Sequence, residues 1–196
     1  MKTNAATFLA MLLVGVTMTG CATRTFYVKC QYQSARKSPL SQLRPVKVSI
    51  EIDDQRPAEE RQALAERDLG FGMKGVLKSK EAVPRIVADA LAKELQASGH
   101  EVIQSPSDAA DVRLKVRLTR FYGTFVLVEH TVLIISEVIL SREGRPDQSV
   151  LVMGTFRRQS SRTLGKGANP EKDINAALTD YVRNFSFEPV VLEALK

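Results

Sequence analysis

Residues 111–119 read Asp-Val-Arg-Leu-Lys-Val-Arg-Leu-Thr, and this stretch decides the fold. Val112, Leu114, Val116 and Leu118 alternate with Arg113, Lys115, Arg117 and Thr119. A period of two belongs to a strand with one buried and one wet face. Such a strand needs a second layer on its apolar side only.

The flanking sequence supplies that layer. Upstream, Val46, Val48, Ile50 and Ile52 alternate with Lys47, Ser49 and Glu51, which predicts a second one-sided strand over 45–52. It stops at Asp53-Asp54-Gln55-Arg56-Pro57. Residues 81–98 predict a helix, with Pro84 in the first turn and Gly99 as the stop. Its stripe is Val83, Ile86, Val87, Ala90, Leu91 and Leu95. A short strand follows over 100–104. Downstream, 125–141 reads as one long β-rich run, central or bulged, because Val132, Leu133, Ile134 and Ile135 are apolar on both faces. Glu143-Gly144-Arg145-Pro146 turns the chain, and 149–159 pairs back as a hairpin. Asn169 and Pro170 open a second helix, whose stripe is Ile174, Ala177, Leu178, Tyr181, Val182 and Phe185. Two one-sided helices and several one-sided strands predict an α/β (α+β) two-layer sandwich. Both main helices pack on one face of a mixed, mostly antiparallel sheet.

Between the first strand and the first helix, 58–68 reads as polar and helix-prone. Gly70-Phe71-Gly72-Met73-Lys74-Gly75 matches G-x-G-x-x-G, but no strand leads directly into it and no βαβ unit places an acid on a ribose. It reads as a flexible glycine loop.

The 196 residues, 44% hydrophobic and 26% charged, suit one globular domain with a tail and exclude collagen-like, low-complexity and multi-span membrane chains. The tail is N-terminal. Lys2 precedes an almost unbroken apolar run from Ala5 to Met18. Fourteen helical residues span about 21 Å, against the roughly 30 Å of a bilayer core. The run therefore reads as a signal peptide rather than a membrane span. It ends in Met18-Thr19-Gly20-Cys21, which resembles the bacterial lipobox, with Met18 where Leu is more usual. That resemblance implies a leader cut before Cys21, a diacylglycerol on its thiol and an acyl chain on its new amine. Ala22 stands where Asp would favour inner-membrane retention, which implies the outer membrane, facing the periplasm.

The expected domains are thus a signal peptide over 1–20, a basic tether over 21–44 and a single periplasmic α/β domain over 45–196. The tether carries Arg24, Lys29, Arg36, Lys37 and Arg44 and no Asp or Glu. It is either a solvated linker or a segment lying on anionic headgroups. Alternation of Phe26, Val28, Cys30 and Tyr32 marks a short strand within it. Cys30 is either a half-buried thiol or one half of an intermolecular disulfide. Without lipidation a Cys21–Cys30 bridge becomes possible.

Val46-Lys47-Val48-Ser49-Ile50 followed by Asp54-Gln55-Arg56 resembles the opening strand and Asp-Gln-Arg signature of the YajG-type bacterial lipoproteins. The lipobox, the helix ending Ala97-Ser98-Gly99-His100, the Ala110-Asp111-Val112 strand and the terminal helix from Asp173 to Phe185 occur in that family's order. The resemblance implies a periplasm-facing lipoprotein without established activity. It carries over Cys21 alone, as the anchor.

No catalytic constellation is present. The two histidines, His100 and His130, read as structural, and no G-x-S-x-G, H-E-x-x-H or paired-cysteine motif occurs. No metal or cofactor is expected. Asp54 and Arg56, two apart and able to share a face, read either as a structural ion pair at a strand end or as a ligand contact. The remaining candidate is a basic sheet face of Arg113, Lys115 and Arg117 with Arg157 and Arg158, extended by Arg162 if the register brings them together. Such a face suits an anionic lipid or glycan of the envelope, since Arg presents a fork to phosphate. Nucleic acid is excluded by the leader. The expected role is a non-enzymatic interaction or scaffolding module with an envelope protein partner; the alternative is a binding module for lipopolysaccharide or another polyanion. Strand order and oligomeric state stay open.

Overall fold

The computed structural model describes residues 23–34, 38–70, 73–103, 109–126, 129–159 and 169–196. The leader, Cys21 and the 160–168 loop with Arg162 lie outside them.

Eight strands form one sheet: β1 (Arg24–Val28), β2 (Lys47–Asp54), β3 (Ala65–Gly70), β4 (Met73–Ser79), β5 (Glu101–Ile103), β6 (Val112–Val126), β7 (Glu129–Arg142) and β8 (Gln148–Gln159). Four helices accompany them: α1 (Ala58–Arg61), α2 (Val83–Ala97), α3 (Pro170–Phe187) and α4 (Pro189–Ala194). The long ladders β6–β7 and β7–β8 are antiparallel, while β2 and β3 join β6 in parallel, as β5 joins β2 and β1 joins β4. The sheet is mixed and mostly antiparallel. α2 packs on β2 and β5, and α3 on β8 and β7, both on the same face.

The alternation read from 111–119 is realised in β6. Val112, Leu114, Val116 and Leu118 are buried beneath the helices. Beyond Leu118 a bulge shifts the register, and Phe121 and Phe125 then take the inward positions. On β7, Val132, Ile134, Val138 and Leu140 line the same interior. At Gly154 of β8 the backbone of α3 comes so close that an added Cβ would lie 2.3 Å from the Tyr181 Cβ and 2.6 Å from the Ala177 carbonyl. Only glycine lets the helix sit there.

Three expectations need correction. The β-rich run over 125–141 is not one strand: Phe125 and Val126 end β6, and β7 begins at Glu129. The polar stretch after Pro57 is helical only over Ala58–Arg61. Most of the expected glycine loop is strand: Gly70, at φ 82°, ends β3 and Met73 begins β4, while Phe71 and Gly72 lie outside the described residues. Ala65 and Leu77, opposite each other in the β3–β4 hairpin, are buried, which explains why so polar a stretch pairs.

The expected tether is part of the folded body over its described residues. β1 pairs with β4. The chain then runs along α3, where the Lys29 and Gln31 N–H groups donate to Glu171 (3.1 Å) and Asn175 (2.8 Å). The Tyr32 hydroxyl donates to the buried Glu94 carboxylate of α2 at 2.5 Å, and Ser186 of α3 donates to the same carboxylate at 3.4 Å. One segment thus straps the two main helices together, with Leu40 fully buried behind it.

β6 is longer than either strand on its second edge. β2 pairs with it from Val112 to Leu118, and β3 takes over from Gly123 to Phe125. The sheet therefore forks, and the chain passes from one prong to the other through Asp54-Gln55-Arg56.

Candidate functional site

The fork is held by Arg56. Its guanidinium is buried and grips the Asp54 carboxylate with two hydrogen bonds of 2.8 and 2.9 Å. Its third contact is the Glu60 carbonyl at 3.0 Å. Arg61 donates in turn to the Arg56 carbonyl at 2.7 Å, and Gln55 N–H to the Leu118 carbonyl at 2.9 Å. These hydrogen bonds hold the Asp54 carboxyl below its ordinary pKa. Every polar arm of the Asp54-Arg56 pair is spent inside the fork, so the pair is a structural clamp.

β6, β7 and β8 present a face away from α2 and α3. Arg113, Lys115 and Arg117 project from it in a row. Lys115 lies 3.4 Å from Glu51 of β2, and Arg117 lies 3.0 Å from Glu137 of β7. Arg113 is also engaged. Arg157 shares this face at the far end of the sheet, where it pairs with Glu129 at 2.8 Å. Arg158 points to the opposite, helix-covered side, 4.0 Å from Asp173. The structure therefore brings three of the five expected cations together and leaves two apart. Neighbouring residues on a strand face opposite ways, which separates Arg157 from Arg158.

Sequence reading missed two features, one on this face and one at the neighbouring prong. Leu133, Ile135 and Ile139 lie half-buried between the charges, beside Leu151 and Met153, which are 60% and 47% exposed. A polar cleft of about 410 Å³ lies between α1 and the β1–β4–β3 prong. Glu59, Glu60, Glu66, Lys78 and Tyr122 line it. One oxygen of the buried Glu60 carboxylate has no hydrogen-bond partner among the described residues; the other pairs with Arg120 at 3.3 Å. Burial, with Glu66 beside it, pushes the Tyr122 hydroxyl up to about 12.

The buried titratable groups do structural work. His130 Nδ1 meets Asp173 at 2.9 Å and ties β7 to the first turn of α3. Ser136 and Tyr181 meet at 2.7 Å in the core. Burial lowers the His100 pKa, so the ring stays neutral to lower pH than a free imidazole, and the Val46 N–H donates to it at 3.4 Å. Cys30 is half-buried, and burial followed by the charges of Glu171 and Glu81 pushes its thiol up to about 12. A thiol so protonated is a poor nucleophile. Among the described residues no three His, Cys, Asp or Glu side chains are placed to hold a metal ion, and no helix is long and apolar enough to cross a membrane.

No family model matches the sequence, and no curated protein matches it. Among solved structures the chain is similar to protein XCC0632 from Xanthomonas campestris, of family DUF330. The TM-score is 0.52 at 13% identity, over 87% of this chain and 94% of that one. Lipoprotein GNA1162 from Neisseria meningitidis aligns with a TM-score of 0.36 at 9% identity, over 61% of this chain and 88% of its own. The first likeness shows a shared fold.

Proposed function

We propose that this chain is a lipid-anchored lipoprotein of a bacterial outer membrane, and that its folded domain is a non-enzymatic interaction module facing the periplasm. One observation carries the reading: the lipobox-like Met18-Thr19-Gly20-Cys21 is followed almost at once by the folded body, whose first strand starts at Arg24. Several acyl chains, at about 0.8 kcal/mol per buried CH₂, would hold such a domain on the bilayer indefinitely. Ala22 supports the outer-membrane address, and the resemblance to YajG-type lipoproteins supports a role without turnover. Fractionation of wild type and Cys21→Ala tests it. Wild type is expected with the outer membrane and Cys21→Ala in the soluble periplasm. Identical distributions would overturn the anchor.

A second reading, recognition of an envelope polyanion, is favoured by the row Arg113, Lys115 and Arg117. Its carboxylate neighbours weaken it. It predicts salt-sensitive binding of lipopolysaccharide that falls when the three become Ser together; unchanged binding removes it.

A further inference from the structure

Two hairpins and the chain from Cys21 meet at one end of the sheet. A single rung crosses it through Arg24, Gly75, Arg67, Phe125, His130 and Arg158, from β1 at one edge to β8 at the other. β1 is parallel to β4, so the chain toward Cys21 leaves this rung in the direction of the β3–β4 hairpin tip. The β6–β7 hairpin turns at the same end, since Val126 and Glu129 lie one step past Phe125 and His130.

Hairpin tips are ordinarily built from polar turn residues. Here the described strand residue bordering each turn is apolar and exposed: Met73, the first of β4, is 44% and Val126, the last of β6, is 39% exposed. Cations stand behind them. Arg24, Arg67 and Lys74 lie on the last rungs, with Lys74 3.7 Å from Glu66; Arg158 closes the far edge, 4.0 Å from Asp173, and Asp68 and Glu129 are the acids at this end.

Distance decides what these tips meet. Cys21 is three residues from Arg24, and an extended chain spans at most about 3.6 Å per residue, so the two lie within about 11 Å. The polar headgroup zone is about 6 Å deep on each side of the hydrocarbon. Met73 lies two residues beyond Gly75, the partner of Arg24, and so reaches about 7 Å past that rung toward the anchor. A domain held by an acylated Cys21 has no spacer with which to stand clear of the bilayer.

We infer that this end of the sheet is a membrane-docking edge. Met73 and Val126 dip into the interface beside the acyl chains, and the cations of the last rungs face anionic headgroups. The inference rests on the lipid-anchor reading. It adds that the domain is fixed in one orientation, with the sheet standing on the membrane and the β7–β8 turn at Gly144 pointing away.

The chain has no Trp, so single substitutions report position. The purified acylated protein carrying Met73→Trp, Val126→Trp or Glu143→Trp is placed on phosphatidylethanolamine–phosphatidylglycerol vesicles with brominated acyl chains. Intact mass establishes acylation in each sample. The expected result is a blue shift and loss of most emission for M73W and V126W, with E143W unchanged. Acylated protein in which all three behave alike overturns the docking edge and leaves the anchor standing. Protein lacking acyl mass overturns both. Hydrogen exchange on the wild-type lipoprotein is an independent reading: slowing at Arg67–Gly70, Met73–Gly75 and Phe125–Val126 on vesicles supports the inference, and slowing confined to other segments contradicts it.

Discussion

The two faces of β7 are nearly equal in apolar content and opposite in fate. Val132, Ile134, Val138 and Leu140 vanish under α3 and its neighbours, whereas Leu133, Ile135 and Ile139, from the same strand, remain half in water. Hydrophobicity alone does not assign a face. What assigns it is the partner strand: β6 is apolar only on the helix side and charged on the other, so the helices can cover one side without stranding a charge. The outer face stays open because Arg113, Lys115 and Arg117 would be costly to bury. Lys115 and Arg117 are compensated there by Glu51 and Glu137 instead.

Paired substitutions sharpen that contrast. Ile134→Ala should cost about 4 kcal/mol, as deletion of a fully buried side chain with a residual cavity. Ile135→Ala, one residue on, should cost about 1 kcal/mol, being only half-buried. Equal losses in urea unfolding would mean that the outer face is also an interior, covered by something in solution. Gly154→Ala comes next, at about 3 kcal/mol, because the new Cβ meets α3 backbone.

The clamp at the fork ranks third. Arg56→Ala should cost about 2 kcal/mol, below the usual loss for a wholly buried pair because Asp54 is partly wet. Its pH signature follows from sign. The Asp54 pKa is lower folded than unfolded, so its contribution is complete above the ordinary carboxylate range. It falls as pH drops through that range toward the folded value. Asp54→Asn should therefore be less stable than wild type at neutral pH, with the gap narrowing in acid. A gap that widens in acid would show that the clamp works otherwise. The smallest effect is expected for Leu151→Ser, within about 0.5 kcal/mol, since its side chain is mostly exposed.

The same contrast explains what was legible in the sequence. The strand over 112–118 and helices α2 and α3 are long and one-sided, so periodicity alone marks them. Residues 57–80 are not one-sided over any comparable length. The hairpin β3–β4 gains its order from β6 and β1, partners remote in sequence. The break between β6 and β7 is not legible because Phe125-Val126-Leu127-Val128 contains no turn residue. That apolar composition is what the membrane-docking edge accounts for. The sequence marks Asp173 only as part of a helix, since nothing in a 43-residue separation announces His130 as its partner. The split between Arg157 and Arg158, by contrast, was available from strand geometry alone. Cys21 was legible as a motif and not as part of the fold.

The most direct measurement is the intact mass of the mature protein purified from membranes. The expected chain begins at Cys21 and carries the added mass of a diacylglyceryl thioether and an acylated amine. A chain that retains its leader, is cut elsewhere, or bears an unmodified Cys21 would contradict the lipid anchor.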